Sequence, residues 1–242
     1  MMKANSGSWL AATVLAVLCS GCATDLPALD FQALVASPDR SEADSATDAR
    51  RKPAQLLAFY GVRPGMIALD LGAGAGYNTE LLARAVGASG KVYAQNPEPA
   101  ARLSERMKMP SMSNVVSVVR EFDDPLPADV RNLDLVTFNF AYHDVSYMNV
   151  DRAKMNRAVF NALKPGGIYI VADQSGRAGT GMSETKTLHR IEEAALRREV
   201  EAAGFRFVAE GGFLRNPQDP RDAPVFKPKQ PNDEFVLKFV KP

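Results

Sequence analysis

An apolar run of strand length at residues 66–71 carries Asp70 and passes through Leu71-Gly72-Ala73-Gly74-Ala75-Gly76 directly into a helical pattern at 79–86. Few folds accommodate that order. Glycine lets a chain turn sharply and lets a ligand approach the backbone closely. The first N–H groups of the helix that follows have no partner within the helix. In open α/β sheets such a turn lies at the carboxyl end of a strand, beside the crevice that binds ligands. The glycines are spaced G-x-G-x-G, and Tyr77 stands where a dinucleotide fingerprint has its third glycine. Asp70, two residues before the first glycine, would repel a pyrophosphate. It suits a ligand that has no phosphate and carries a positive amino group. No G-K-[ST] follows the loop, which excludes a phosphate-binding P-loop.

The rest of the chain repeats the strand-then-helix order. Short apolar runs at 91–95, 115–119, 133–139, 168–172, 205–209 and 235–240 read as strands. Helical patterns occupy 53–60, 79–86, 99–108, 151–163 and 183–203, with Pro53 in a first turn and Gly61 and Gly204 as stops. Such alternation, punctuated by Gly and Pro, predicts a parallel sheet with helices on both faces. Residues 211–233 hold many Pro, Asp and Arg residues and read as a long surface loop.

Ahead of the domain, Lys3 precedes an apolar run at 9–18. That run has signal-peptide length and is short for a membrane-crossing helix. Cys19-Ser20-Gly21-Cys22 follows, and the small residues before Cys22 fit a bacterial lipoprotein signal, in which the Cys is lipidated. The plainer alternative is secretion with cleavage after Ala23. Both readings expect export, and the first expects a periplasmic protein whose membrane contact is the lipid on Cys22. The chain therefore divides into a signal peptide of lipoprotein type at 1–23, a tether and N-terminal helical segment at 24–52, and a domain at 53–242. Both cysteines lie in the signal, which leaves the mature chain without a disulfide or a Cys-based metal site. His143 and His189 are the only two histidines and lie far apart in sequence, so no metal is expected. A net charge of +1 gives no reason to expect nucleic-acid binding.

The segment Ala68-Leu69-Asp70-Leu71-Gly72-Ala73-Gly74-Ala75-Gly76 resembles motif I of the class I S-adenosylmethionine-dependent methyltransferases. Val62-Arg63-Pro64-Gly65, Gly90-Lys91-Val92-Tyr93 and Leu163-Lys164-Pro165-Gly166-Gly167 are similar to its usual companions. From about Arg50 onward, the chain is similar to a group of exported bacterial proteins predicted to be methyltransferases. The resemblance implies that 53–242 is a Rossmann-like, doubly wound α/β domain with seven strands, mostly parallel with an antiparallel last strand. It implies S-adenosylmethionine as cofactor and a small-molecule acceptor.

Site residues follow by position. Asp70, Gly72, Gly74 and Gly76 would face the amino-acid end of the cofactor. Where the family has an acidic residue gripping the ribose hydroxyls, this chain has Asn96 preceded by Gln95, with Glu98 nearby. An amide oxygen can accept one hydroxyl bond, without charge assistance. Asp123 or Asp124 would meet the adenine amino group, unless the pair only builds a turn before Pro125. Asn139 opens the edge Asn139-Phe140-Ala141-Tyr142-His143-Asp144, which in the family faces the reactive methyl and the acceptor. His143 is the candidate general base and Asp144 its orienting partner, because imidazole titrates near neutrality. His189 reads as a solvated helix residue. The alternative is a non-catalytic exported ligand-binding domain that retains the fold, since S-adenosylmethionine is made in the cytoplasm. A reporter fused after residue 23 is expected outside the cytoplasm and labelled by radioactive lipid; a reporter left in the cytoplasm would remove the export reading.

Overall fold

The computed structural model of the chain describes residues 1–2, 29–226 and 228–242. The apolar run at 9–18 and Cys22 lie outside the described residues. No helix among the described residues is long and apolar enough to cross a membrane.

Three helices come first: α1 (Phe31–Val35), α2 (Glu42–Arg51) and α3 (Pro53–Tyr60). Ser41 caps α2 by accepting the Asp44 N–H at 3.1 Å. The alternating part runs β1 (Ile67–Leu71), α4 (Tyr77–Val86), β2 (Lys91–Asn96), α5 (Ala101–Arg106), β3 (Val115–Val119), β4 (Leu133–Asn139), α6 (Tyr142–Val145), α7 (Arg152–Ala162), β5 (Leu163–Gln174), α8 (Thr185–Leu188), α9 (Glu193–Ala202), β6 (Arg206–Glu210) and β7 (Glu234–Val240).

The seven strands form one sheet in the order β3-β2-β1-β4-β5-β7-β6. Strands β1 to β5 pair in parallel, and β7 runs antiparallel to both β5 and β6. Successive strands leave β1 in one direction through β2 and β3, and the chain then returns to place β4 on the other side of β1. The carboxyl ends of β1 and β4 therefore bound the crevice where open α/β sheets bind ligands. Alternation along each strand sends residues to two cores. Leu69, Phe138, Tyr169, Val171 and Leu237 are buried on one face, with Met155 and Val159 of α7 and Leu196 and Val200 of α9. Ala68, Val92, Leu135, Ile170 and Val236 are buried on the other, with Leu57 of α3 and Leu81, Leu82 and Val86 of α4.

The fold fills in one sequence expectation and changes another. In the segment 24–52, read as a tether and N-terminal helical segment, the described residues form α1 and α2, and Leu29, Phe31, Leu34 and Val35 pack on the second core. The described end of that segment is part of the globule because its apolar residues are covered by α3 and α4. Residues 183–203 were expected to form one helix. They form α8 and α9, separated at His189, whose φ of 53° is left-handed. The break lets Ile191 bridge to Ser175 and buries the Arg190 side chain, which donates to Ala223 O at 2.9 Å and pairs with Asp219 at 2.9 Å. Long-range pairing here overrides helical periodicity. The loop at 211–233 is correspondingly held down by Arg190 and by Arg215, which pairs with Glu193, Glu210 and Asp233.

Gly90 sits where α4 returns to β2. A Cβ there would lie 2.5 Å from Val86 Cβ and 2.7 Å from Met66 O. Gly90→Ala is expected to lower stability by about 1–3 kcal/mol through overpacking, read as a lower urea midpoint with an unchanged slope.

Candidate functional site

The loop between β1 and α4 is held from two sides. On the β4 side, the buried Asp70 carboxylate accepts hydrogen bonds from the Thr79 hydroxyl at 2.6 Å, Asn78 Nδ2 at 2.7 Å and the Thr137 hydroxyl at 2.9 Å. Asp70 and Thr137 are register partners on β1 and β4, which brings the two side chains together. Burial pushes the Asp70 carboxyl above its ordinary range; the three hydrogen bonds and the charge of Arg51 pull against that. On the β2 side, the Gly72 N–H donates to Gln95 Oε1 at 3.0 Å and the Gly74 N–H donates to Asn96 Oδ1 at 2.8 Å. Asn96 Nδ2 returns a bond to Gly74 O at 3.1 Å, and Gln95 Nε2 reaches Arg120 O at 2.5 Å. Gly76, the N-cap of α4, has a φ of 87°, and a Cβ there would meet Leu103 Cδ1 at 2.8 Å. No side chain caps α4. Its first-turn N–H groups therefore lack the usual capping partner.

Above this floor lies a cavity of about 370 Å³, whose lining includes Asp70, Gly72, Gly74, Asn78, Asn139 and Arg51. Its roof is α2. Asp48 accepts from the Tyr77 hydroxyl at 2.6 Å and from Arg40 at 2.6 Å, and Asp44 pairs with Arg106, which also pairs with Glu80 and donates to Ala75 O at 3.0 Å. Arg50 pairs with Glu234 at 2.9 Å. Arg51 differs from its neighbours: it makes no ion pair among the described residues, its Nε is buried without a partner, and its guanidinium lies 4.1 Å from the Phe140 ring centroid. Burial, with Arg50 nearby, lowers its pKa from the ordinary arginine value. Asn139 Nδ2 donates to the Tyr60 hydroxyl at 3.0 Å, while its buried Oδ1 has no partner among the described residues. A cation without a counter-ion and an unfilled acceptor beside a carboxylate are complementary to an amino-acid group, with its carboxylate toward Arg51 and its ammonium toward Asp70 and Asn139.

Asp70, Gly72, Gly74 and Asn139 thus come together as expected from the sequence, and Gly76 adjoins them as the cap of α4. Asn96 does not stand ready for ribose hydroxyls, since both ends of its amide are committed to Gly74. Neither Asp123 nor Asp124 lines the cavity: Asp124 pairs with Arg120 and Asp123 with Lys154. Phe122 is the residue of that segment nearest the loop, since a Cβ on Gly72 would lie 3.4 Å from its ring.

His143 lies outside the cavity as well. Its Nδ1 is 2.6 Å from Asp173 Oδ1, and its Nε2 is 3.1 Å from Asp144 Oδ1. Burial disfavours the charged ring, but Asp173 and Asp144 outweigh it, and the pKa is pushed up to about 10. An imidazolium with both nitrogens engaged has no free nitrogen with which to accept a proton. The buried orienting partner is Asp173, not Asp144, whose side chain is 37% exposed. His189 was read as a solvated helix residue far from His143. The fold brings the two rings to 5.4 Å, and the break between α8 and α9 places His189 there. Tyr60, Asn78 and Asp173 were not singled out in the sequence, and the Asp/Arg-rich stretch before Pro53 read as a solvated face from which Arg50 or Arg51 could fold over the cofactor. Arg51 carried a faint signal, as a basic residue just before Pro53.

Comparisons with known proteins agree with this geometry. The family described as a methyltransferase domain matches residues 69–171. A curated relative, the ubiquinone/menaquinone biosynthesis C-methyltransferase UbiE of Salmonella arizonae, is 27% identical over 164 residues, covering 66% of this chain and 64% of the relative. The corresponding Cronobacter sakazakii enzyme is 28% identical over 155 residues, covering 62% and 60%. The chain spans less than two thirds of the length of these relatives. Among solved structures, a SAM-dependent methyltransferase from Aquifex aeolicus superposes with a TM-score of 0.62 at 19% identity, covering 89% of this chain and all of that one. The Burkholderia thailandensis 1,6-didemethyltoxoflavin-N1-methyltransferase, with bound S-adenosylhomocysteine, gives 0.58 at 21% identity, covering 82% and 81%. The [4+2]-cyclase SpnF gives 0.63 at 17% identity, covering 81% and 82%. The fold is that of these solved structures, and within it residues 69–171, which hold the glycine loop, match the methyltransferase-domain family.

Asp70→Ala would leave three buried donors without their acceptor. It is expected to lower stability by about 2–5 kcal/mol in urea denaturation and to abolish binding of S-adenosylmethionine. Unchanged affinity would remove Asp70 from the site.

Proposed function

We propose that this chain transfers a methyl group from S-adenosylmethionine to a small-molecule acceptor. The observation that carries the reading is Arg51, without an ion-pair partner among the described residues, lining one cavity with Asp70 and Asn139 at the β1–β4 switch point. Arg51 would hold the cofactor's carboxylate, Asp70 and Asn139 Oδ1 its ammonium, and the glycine loop its methionine chain. The bound cofactor supplies an activated sulfonium methyl, so the protein's task is chiefly to position donor and acceptor in line and exclude water. Removal of an acceptor proton is not assigned to His143, which is sealed between two carboxylates. Asp144, the more exposed partner of the pair, is the group of that edge able to meet an acceptor. Fold alone does not establish this chemistry, as the cyclase neighbour illustrates.

The export signal extends the proposal. A domain tethered by a lipid on Cys22 would work at a membrane surface, and the UbiE-type relatives are named for quinone biosynthesis. A ring-bearing lipid of quinol type is therefore the first acceptor class to assay.

Calorimetry suits the binding test, because the single tryptophan of the chain, Trp9, precedes the domain in sequence. Both S-adenosylmethionine and S-adenosylhomocysteine are expected to bind in the micromolar range, about −8 kcal/mol. Arg51→Ala is expected to weaken both by roughly 10- to 100-fold and to leave adenosine, which lacks the carboxylate, unchanged. Absence of binding to the unaltered chain would instead favour a non-catalytic exported ligand-binding domain.

A further inference from the structure

At the same end of the sheet, but outside the cofactor cavity, α6, the end of β5 and the break between α8 and α9 gather a polar cluster that the methyl-transfer reading leaves largely unused. His143, Asp144 and His189 each offer one ligand atom, and these atoms lie within 4.8 Å of one another. Asp173, fully buried, receives His143 twice: the backbone N–H at 2.8 Å on one oxygen and ring Nδ1 at 2.6 Å on the other. The ring is thereby fixed with Nε2 toward Asp144 Oδ1, 3.1 Å away, and a divalent ion bound there would take the place of the Nε2 proton, which is released to solvent. His189 Nδ1 approaches the same oxygen at 3.4 Å; it is buried and has no hydrogen-bond partner among the described residues.

We propose that His143, Asp144 and His189 form a binding site for one divalent transition-metal ion of the zinc or cobalt type. The spacing fits. Ligand bonds of about 2.0–2.1 Å in tetrahedral geometry put neighbouring donor atoms about 3.3 Å apart; Asp144 Oδ1 stands 3.1 and 3.4 Å from the two ring nitrogens, which themselves lie within 4.8 Å of each other and would close to that spacing on an ion. The donor set fits too: two imidazoles with one carboxylate favour borderline ions over magnesium or calcium. The pair His143–Asp173 is the carboxylate–histidine arrangement that orients a metal-binding imidazole through its other nitrogen. The Tyr147 hydroxyl donates to Asp144 at 2.6 Å, and the Phe226 ring packs on His189 with centroids 4.7 Å apart, so two of the three groups are steadied from outside. Asp144, partly exposed, provides the way in. An ion would also satisfy the orphaned His189 Nδ1. Three protein donors leave a fourth position open for water or for an anionic oxygen or sulfur ligand. The site stands independently of the cofactor reading, because none of its ligands lines that cavity.

The chain has two histidines, so a cobalt–imidazole spectrum has one source. The full chain, purified without a histidine tag and stripped with chelator, is titrated with Co²⁺ and then with Zn²⁺. One equivalent of cobalt is expected to produce visible d–d bands that zinc abolishes, and zinc is expected to raise the melting temperature. His189→Asn keeps a residue that tolerates the left-handed backbone and removes the ligand, so it should fold and lose both signals. Asp173→Asn should weaken metal binding by about 10- to 100-fold. Arg51→Ala should retain one equivalent, which separates this site from the cofactor site. A colourless titration of the unaltered chain, or an unchanged spectrum and affinity in His189→Asn, would overturn the proposal.

Discussion

The structure is organised around a buried negative charge. Asp70 sits near the carboxyl end of β1, where the sheet reverses its winding, and three side chains from two other segments donate to it. A carboxylate out of water is costly unless such donors surround it, and supplying them joins β1, β4 and the first turn of α4 into one rigid corner. The glycine loop is therefore not free to drift. Its shape is set on one side by Asp70 and on the other by the amides of Gln95 and Asn96.

That second support changes how the site works electrostatically. An acidic residue at the end of β2 would present negative charge to a ligand's hydroxyls. Gln95 and Asn96 are neutral and face inward, bonded to the loop backbone. Charge recognition shifts to the roof, where α2 brings Arg50 and Arg51 over the floor. Arg40, Arg50 and Arg106 each have a carboxylate partner. Arg51 is held in place by packing on Phe140, and its charge remains available. A helix of the segment read only as a tether and N-terminal helical stretch thus closes the cavity and contributes its most distinctive group.

Much of the architecture was legible from the chain. Apolar runs bounded by Gly and Pro marked all seven strands, because strands buried on both faces are nearly continuous in hydrophobicity. Asp70, Gly72, Gly74, Gly76 and Asn139 were identifiable because a loop joining a strand to a helix brings its residues together locally. Other assignments could not be read. Asn96 was matched to a ribose role, but whether its amide faces a ligand or Gly74 depends on a contact across 22 residues. Asp123 and Asp124 turned to Lys154 and Arg120. The helix expected through His189 breaks because Ile191 and Arg190 gain partners on β5 and the late loop.

By itself, then, the sequence determined the order of strands and helices, the glycine loop and the carboxylate beneath it, since periodicity, backbone freedom and charge are properties of neighbouring residues. Tertiary structure alone decided which polar groups are used up and which remain open. It neutralised three arginines and left the fourth, turned the β2 amides inward, and enclosed His143 between Asp173 and Asp144 beside a histidine 46 positions away. The physical reason is that hydrogen-bond satisfaction and ion pairing depend on distance in space, and local pattern carries no record of that distance.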